Sequence, residues 1–437
     1  MDILKIGYAR EDFSPDKTVH MNSTKIGEKV MEPICTTCLS LSQGEKRVLI
    51  IGVDLRNVYK HFTDIIIPQI TEATGVPGDA IIFHSPHNHS CPDASNPGFE
   101  CVADWQNRIG FPAILKAAKA AIADEKNVSG IFGSNGECKN VSYVRRYLKA
   151  DGTYVGIATA NKSEAPIVAH ESEADPSLRV VRIAREGGKD VLLVNFQVHA
   201  AGALGSHGDS VCADFVGPLR DTLEAGGDCL VMYYQGGCGN TNYHTNIEAE
   251  KPFKPADYKE AGLRIAAAVR ETLANEESLE IGALQYRNGS ITGAVNHTKD
   301  HLYEQALAID DEPDRDTRIA KMHALGIDSN YVRWAIIKRK RMPDFEELEL
   351  ASVSLGDFAL TFCPFEMFDI NARQLRQASP YKMTFACSYS LNYRGYMPCH
   401  QMFPHGEYEA TMCHYLPGTG ENVVLGQLAQ LQDMKKA

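Results

Sequence analysis

Residues 80–92 read AIIFHSPHNHSCP, a short apolar run that leads directly into a segment with three histidines. The apolar run follows a Gly-Val-Pro-Gly turn at 75–78 and is typical of a short buried strand. His84, His87 and His89 therefore fall at the end of this strand, where polar side chains line the ligand crevice of open α/β sheets. An extended backbone would point the His87 and His89 rings to the same face.

A second strand also ends in a histidine, His199, in the segment NFQVH at 195–199. Zinc binds imidazole nitrogen and carboxylate oxygen, and a catalytic zinc site keeps one position for water. Two strands that each end in a histidine could place both imidazoles at one zinc site. The spacing of His87 and His89 alone is weak evidence, because a chain with 15 histidines can contain it by chance.

Strands and helices alternate through most of the chain. Apolar runs predict strands at 46–54, 178–183, 189–198 and 229–234, and helical periodicity predicts helices at 62–74, 111–124, 214–225 and 255–275. A charged, mainly helical stretch covers 297–342, and a further helix is expected to begin near Phe365. Because no repeat, linker or change of composition interrupts this alternation, we expect an α/β fold with one large domain over 1–437, built from mixed β-sheets flanked by helices.

Composition excludes several classes of function. A formal net charge of −12 argues against a nucleic-acid partner, and no stretch approaches the ~20 apolar residues of a transmembrane helix. The first residues do not have the pattern of a secretory signal, so we expect a cytoplasmic protein whose 12 cysteines are mostly reduced. Cys35 and Cys38 form a CxxC in a strand-like segment without a second such pair, which favours a structural role.

Five segments, taken together and in order, resemble the motifs of the neutral, non-lysosomal ceramidases. PHNHSCP at 86–92 is similar to the THTHSGP motif of that family, and NFQVH at 195–199 with ADFVG at 213–217 is similar to its strand histidine and downstream aspartate motif. QGGCGNTN at 235–242 resembles its glycine-rich turn, and TFCPFE at 361–366 resembles its PGE segment. NYRGY at 392–396 and EYE at 407–409 resemble its tyrosine motifs, with Tyr396 and Tyr408 12 residues apart, as in the family.

The resemblance implies one zinc ion per chain, bound by His87, His199, Glu366 and Tyr396. It also implies catalytic roles for His89, for Tyr408 and for an arginine before the turn at 151–152, with Arg146 as the first choice and Arg145 as the alternative. Asn242 stands where the family has a serine in the glycine-rich turn. Taken singly, these residues have other interpretations: Glu366 could stabilise a helix N-terminus, and Asp214 could cap the following helix.

The activity that the resemblance implies is hydrolysis of an amide bond, of the ceramide or N-acyl type, by a zinc-activated water. Several departures from the family leave the substrate open. Asn242 cannot replace every function of a serine hydroxyl, and neither a signal nor the C-terminal β-sandwich domain of the secreted enzymes is expected here. A small soluble amide or ester is therefore the alternative to a lipid amide, and a catalytically silent metal-binding homologue is a third possibility.

Overall fold

A computed structural model describes residues 2–21, 25–96, 98–157, 160, 163–203, 207–309, 312–327 and 329–436. The strands are β1 (Leu4–Asp12), β2 (Val19–Met21), β3 (Lys25–Gly27), β4 (Lys29–Val30), β5 (Cys35–Gln43), β6 (Lys46–Val53), β7 (Ile81–His84), β8 (Lys126–Glu137), β9 (Tyr143–Val144), β10 (Arg146–Lys149), β11 (Tyr154–Gly156), β12 (Ile167–His170), β13 (Ser177–Arg185), β14 (Asp190–Phe196), β15 (Ser210–Val211), β16 (Cys229–Gln235), β17 (Thr241–Asn242), β18 (Glu277–Leu279), β19 (Leu284–Ala294), β20 (Phe345–Leu355), β21 (Phe358–Phe362), β22 (Glu366–Met367), β23 (Met383–Cys387) and β24 (Tyr396–Met397). The α-helices are α1 (Lys60–Thr74), α2 (Glu100–Trp105), α3 (Phe111–Ala123), α4 (Val216–Glu224), α5 (Tyr258–Leu273), α6 (Tyr303–Ala308), α7 (Arg315–Ala324), α8 (Asn330–Lys340), α9 (Asp369–Ala378), α10 (Glu407–Met412) and α11 (Thr419–Lys436).

The largest sheet has nine strands in the order β16-β14-β13-β8-β1-β5-β6-β7, with β18 pairing to β8. Its two outer pairs, β14–β16 and β6–β7, are parallel, and the pairs between them are antiparallel. A second sheet has the order β19-β20-β21-β23 and is also mixed. The expected α/β fold with mixed sheets is therefore confirmed.

The two sheets share one apolar core, and helices cover their other faces. Side chains such as Ile50, Leu193 and Leu360 meet in this core. Helices α1 and α3 pack with β6, α4 and α5 pack with β14, and α9 and α11 pack with the second sheet. In β6, Ile50 faces the shared core while Leu49 and Ile51 face the helices. A strand that is buried on both faces explains why residues 48–51 form a continuous apolar run.

The predicted elements that lie before 346 differ from the observed ones by no more than three residues at either end. The helix expected near Phe365 is present but begins later, at Asp369, because Glu366 belongs to the short strand β22. Strand β22 pairs with β24 in parallel, and Glu366 N donates to Gly395 O at 2.9 Å. Pairing with a distant segment therefore decides the local conformation of Glu366.

Among the described residues, none of the helices combines the length and the apolar character needed to cross a bilayer.

A buried ion pair connects the end of β6 to α4. Arg220 donates to Asp54 through Nη1 (3.1 Å) and Nη2 (2.5 Å), and both side chains are only 5% exposed. Asp54 Oδ2 also accepts from Cys35 N at 2.8 Å, and its backbone oxygen accepts from Asn88 Nδ2 at 3.1 Å. The pair therefore stabilises the base of the loop that carries the histidines.

We expect Arg220→Met to lower the free energy of unfolding by about 3–5 kcal/mol, because it leaves the Asp54 carboxylate buried without a counter-charge. The double variant Asp54→Asn/Arg220→Met should recover part of this loss, since it contains no buried charge and keeps an acceptor for Cys35 N. Urea midpoints of the single and double variants measure the effect. Identical midpoints for the two variants would contradict it.

Candidate metal centre

His87 leaves β7 in a left-handed backbone conformation. Its φ is 61°, a value that residues other than glycine rarely adopt. The expectation that an extended backbone aligns His87 with His89 is therefore wrong. The two rings nevertheless meet, with their Nε2 atoms 3.0 Å apart and their planes at 84°. The sharp turn, rather than strand alternation, brings these imidazoles together.

The Nδ1 atoms of His87 and His199 are held by backbone carbonyl groups. His87 Nδ1 donates to Arg56 O at 2.9 Å and lies 3.0 Å from Asn57 Oδ1, and His199 Nδ1 donates to Cys238 O at 3.2 Å. A carbonyl oxygen can only accept, so Nδ1 carries the proton and Nε2 presents its lone pair. This is the tautomer and orientation that metal-binding histidines adopt.

Glu366 lies at the centre of the cluster. Its Oε2 atom is 3.3 Å from His87 Nε2 and 4.0 Å from His199 Nε2. Tyr393 OH donates to Oε1 at 2.5 Å and Tyr389 OH donates to Oε2 at 3.2 Å. Burial raises the pKa of the Glu366 carboxyl, and these hydrogen bonds partly oppose the rise. The carboxylate therefore faces two imidazole lone pairs while neutral hydroxyl groups orient it.

Tyr396 reaches the same carboxylate from the neighbouring strand β24. Its hydroxyl group is hydrogen-bonded to Glu366 and accepts a 2.9 Å hydrogen bond from Arg145 Nη2. The phenol is almost fully buried, and burial together with the Glu366 charge raises its pKa well above the usual value. The structure thus brings together all four residues that the resemblance implies as ligands.

His89 is a third histidine close enough to share a metal ion with His87 and His199. The ligand atoms of His87, His89 and His199 lie within 4.8 Å of one another, and these three residues form a group that could hold a metal ion. Burial lowers the pKa of all three imidazoles, to about 3 for His89, so the rings are neutral at neutral pH. Neutral imidazole is the form that binds metals.

The donor set fits a small divalent cation that prefers nitrogen and oxygen. Ligands at 2.0–2.1 Å around a tetrahedral zinc lie about 3.3 Å from one another. The separation between His87 Nε2 and Glu366 Oε2 is 3.3 Å, and that between His87 Nε2 and His89 Nε2 is 3.0 Å. Both agree with this spacing, whereas His199 Nε2 lies 4.0 Å from Glu366 Oε2 and would have to move closer to share a zinc ion with it.

The two adjacent arginines contact different partners. Arg145 donates to Tyr396 OH and, through Nε, to Glu409 Oε1 at 2.8 Å. Arg146 donates to Glu171 through Nε (2.6 Å) and Nη2 (2.9 Å), and to Glu409 Oε2 through Nη1 (3.1 Å). The structure therefore favours Arg145, the alternative, over the first choice Arg146 as the arginine beside the candidate ligands.

Of the two remaining predicted residues, only Tyr408 lies beside a candidate ligand. Its ring is 5.4 Å from that of Tyr396, and burial raises its pKa to about 12, so its hydroxyl group is a donor at neutral pH. Asn242 pairs with Tyr143 in a short ribbon, and its Oδ1 accepts from Tyr243 N at 2.8 Å. Within the described residues its side chain makes no hydrogen bond to the histidines, and its catalytic role stays a prediction.

Residues outside the predicted set complete the cluster. Tyr389 stacks on His87 with ring centroids 4.1 Å apart, and Tyr393 OH donates to Glu366 Oε1 at 2.5 Å. Gly239 packs so closely that a Cβ there would lie 2.3 Å from Glu366 O. The spacing of tyrosines at 389, 393 and 396 is a signal that could have identified both phenols. The tight contact at Gly239 leaves no such signal in the sequence.

A cavity of about 10 Å³ borders His89 and is lined in part by Arg56, Asn88 and Cys91. This volume holds about one water molecule rather than an acyl chain.

Comparison with solved structures gives two extensive similarities. The crystal structure of neutral ceramidase from Pseudomonas aeruginosa matches with a TM-score of 0.73 and 14% identity, covering 100% of this chain and 75% of that chain. A structure described as ceramidase complexed with C2 matches with a TM-score of 0.72 and 14% identity, covering 100% of this chain and 76% of that chain. No protein-family model and no curated protein matches the sequence. The resemblance inferred from the sequence motifs is confirmed at the level of three-dimensional structure: this chain has the fold of the neutral ceramidases.

Proposed function

We propose that this protein is a zinc-dependent hydrolase that cleaves the C–N bond of an N-acyl amide. One observation carries the proposal: the Nε2 atoms of His87 and His199 both lie within 4.0 Å of Glu366 Oε2. Their donor types and spacing suit a catalytic zinc site, and the surrounding fold is that of amide-hydrolysing ceramidases. The combination of site and fold supports hydrolysis more strongly than either does alone.

A zinc ion held by these residues would lower the pKa of a coordinated water towards ~7 and polarise the substrate carbonyl. His87 and His199 supply neutral nitrogen donors, because burial lowers their pKa values. Arg145 fixes the Tyr396 hydroxyl group through a 2.9 Å hydrogen bond. Tyr408, beside Tyr396, can donate a hydrogen bond to the substrate, and His89, which stays neutral because burial lowers its pKa to about 3, would orient the substrate.

An aromatic path runs from the surface towards the candidate ligands. We define it as Trp334, Tyr331, Tyr408 and Tyr396, whose successive ring centroids lie 5.7, 4.7 and 5.4 Å apart. Trp334 is 50% exposed and Tyr331 is 41% exposed. Exposed rings beside a buried polar centre can stack on an apolar face of a substrate. We propose that the part of the substrate away from the scissile bond binds along this path.

The second candidate is a hydrolase of a small soluble amide or ester. The cavity beside His89, at about 10 Å³, has room for one water molecule and does not distinguish the two substrate classes. Release of fatty acid from ceramide, measured beside a panel of small N-acyl amides and esters, separates the two substrate classes. Tight zinc binding without turnover on this panel would identify a catalytically silent metal-binding homologue instead.

We expect His199→Ala to lose most of its bound zinc and to lower kcat/KM by at least roughly a hundredfold, because one of the nitrogen donors is removed. Elemental analysis measures the zinc content, and amine release measures turnover. The control is His297→Gln, which removes a histidine that pairs with Asp300 outside the cluster. A zinc-free His199→Ala protein with full activity would rule out the proposal.

Substitution of the two adjacent arginines should separate function from stability. Arg145→Gln should lower kcat by about 10- to 100-fold, since a hydrogen bond from a charged group to the Tyr396 hydroxyl contributes about 1.5–3 kcal/mol. Arg146→Gln should mainly lower the melting temperature, because the fully buried Glu171 loses a paired cation. Steady-state kinetics and thermal unfolding measure both effects. Equal losses of kcat in the two variants would contradict the different roles.

If substrate binds along the aromatic path, Tyr331→Ala and Trp334→Ala should each raise KM about fivefold with little change in kcat. This corresponds to a loss of about 1 kcal/mol of binding free energy that the substrate and the transition state share. The measurement uses the best substrate of the panel. Phe345→Ala is the control, because Phe345 is an exposed aromatic residue on β20. A fall in kcat with unchanged KM would show that these rings do not bind substrate as proposed.

A further inference from the structure

A second polar cavity, of about 500 Å³, lies between the start of β13 and helix α9. Arg179 of β13 and Arg373 and Arg376 of α9 line it. The two helix residues are three positions apart, which places them on the same face of the helix. The cavity shares none of its lining residues with the cavity beside His89. We call Arg179, Arg373 and Arg376 the arginine cluster.

The arginine cluster presents buried N–H groups that have no hydrogen-bond partner in the described part of the chain. These are Nε and Nη1 of Arg376, Nη1 of Arg179 and Nε of Arg373, although Arg373 Nε lies 3.9 Å from Asp175 Oδ2. The Arg376 side chain is only 3% exposed. Buried donors are nearly always hydrogen-bonded in folded proteins, so several such groups at one cavity indicate a ligand that accepts hydrogen bonds.

The acidic groups at the cavity floor do not balance the arginine cluster. Asp175 accepts from Arg376 Nη2 and also from Ser177 N at 3.0 Å. Asp369, behind it, accepts from Asp175 N at 2.9 Å and from Asn240 Nδ2 at 2.7 Å. Three guanidinium groups thus face two buried carboxylates. Burial, and then the charge of Arg376, lower the pKa of Arg179 to about 9, as expected for a cation with too little counter-charge.

The other charged residues at the cavity rim are either paired with residues outside the cavity lining or exposed to solvent. Lys382 pairs with Asp357 at 2.7 Å, and Glu137 pairs with Lys139 at 2.8 Å. Glu173 is exposed to solvent. Asp357 also pairs with Lys435 at 3.4 Å. The charged rim residues Lys382 and Glu137 therefore have partners of their own, and the uncompensated buried charge lies at the arginine cluster.

We propose that the arginine cluster binds a small tetrahedral dianion, either inorganic phosphate or the phosphate group of a metabolite. Guanidinium groups match phosphate oxygens through paired N–H donors, and a dianion would satisfy both the charge and the donors. The proposal is independent of the zinc hydrolase assignment, because it rests on residues outside the candidate metal centre.

Arg179→Gln is the decisive variant. Within the described residues the Arg179 guanidinium makes no hydrogen bond, so its replacement should leave the fold intact. We expect phosphate to raise the melting temperature of the wild-type protein, and Arg179→Gln to weaken phosphate binding at least tenfold. In phosphate-free chloride buffer the same variant should melt at a higher temperature than wild type, because like-charge repulsion is relieved. Arg373→Gln should also weaken binding, and Arg287→Gln, an exposed arginine on β19, is the matched control.

Isothermal titration with inorganic phosphate, glycerol 3-phosphate and sulfate, at chloride-matched ionic strength, completes the test. Tighter binding of glycerol 3-phosphate than of inorganic phosphate would indicate a metabolite phosphate, and equal or weaker binding would indicate the free anion. The phosphate response must persist in His199→Ala, since it does not involve the metal centre. Phosphate binding that Arg179→Gln leaves unchanged, or no binding above that of chloride, would overturn the proposal.

Discussion

The buried carboxylate of Glu366 is the group on which the candidate metal centre depends. Two imidazole nitrogens, three phenol groups and the neighbouring strand β24 are arranged around it. Burial of a carboxylate is costly, and it raises the pKa of Glu366 even though the hydrogen bond from Tyr393 and the charge of Arg145 oppose the rise. A divalent cation shared with the imidazoles would offset it, which is the physical reason to regard the cluster as a metal centre.

Backbone hydrogen bonds between distant segments hold this cluster in place. His89 N donates to Ala200 O at 2.9 Å, which joins the loop after β7 to the loop after β14. Gly236 N donates to Phe196 O at 2.8 Å, and Ser388 N donates to Gln235 O at 3.0 Å. His87 and His199 therefore follow strands whose residues pack in a core, and Glu366 and Tyr396 lie on the paired strands β22 and β24. Rigid elements of this kind position functional side chains accurately.

The two polar clusters of this molecule have opposite electrostatic character. The centre around Glu366 collects lone pairs and neutral imidazoles, whereas the arginine cluster collects N–H donors and positive charge. Asp369 and Asn240 lie between them, because Asp369 bonds to Asp175 on one side and to Asn240 of the glycine-rich turn on the other. The same turn carries Cys238, whose carbonyl group holds His199. Helix α9 thus begins beside the centre around Glu366, and its residues Arg373 and Arg376 line the cavity of the arginine cluster.

The amino-acid sequence by itself determined the order of the strands and helices and the chemical types of the ligands. Apolar periodicity is a local property, so β6, β14, β16 and the helices between them could be predicted closely. Histidines at the ends of two strands, and the motif that contains Tyr396, indicated the metal centre before any contact was known.

Only the tertiary structure decided how these residues meet. Glu366 lies on a strand because β24 pairs with it, a contact between segments 30 residues apart. The His87–His89 contact depends on a left-handed turn that strand periodicity cannot predict. The choice between Arg145 and Arg146 depends on which side chain faces Tyr396, because adjacent residues point in different directions and a sequence does not specify their partners. Local sequence encodes conformational preference and chemistry, whereas long-range packing determines which groups come within bonding distance.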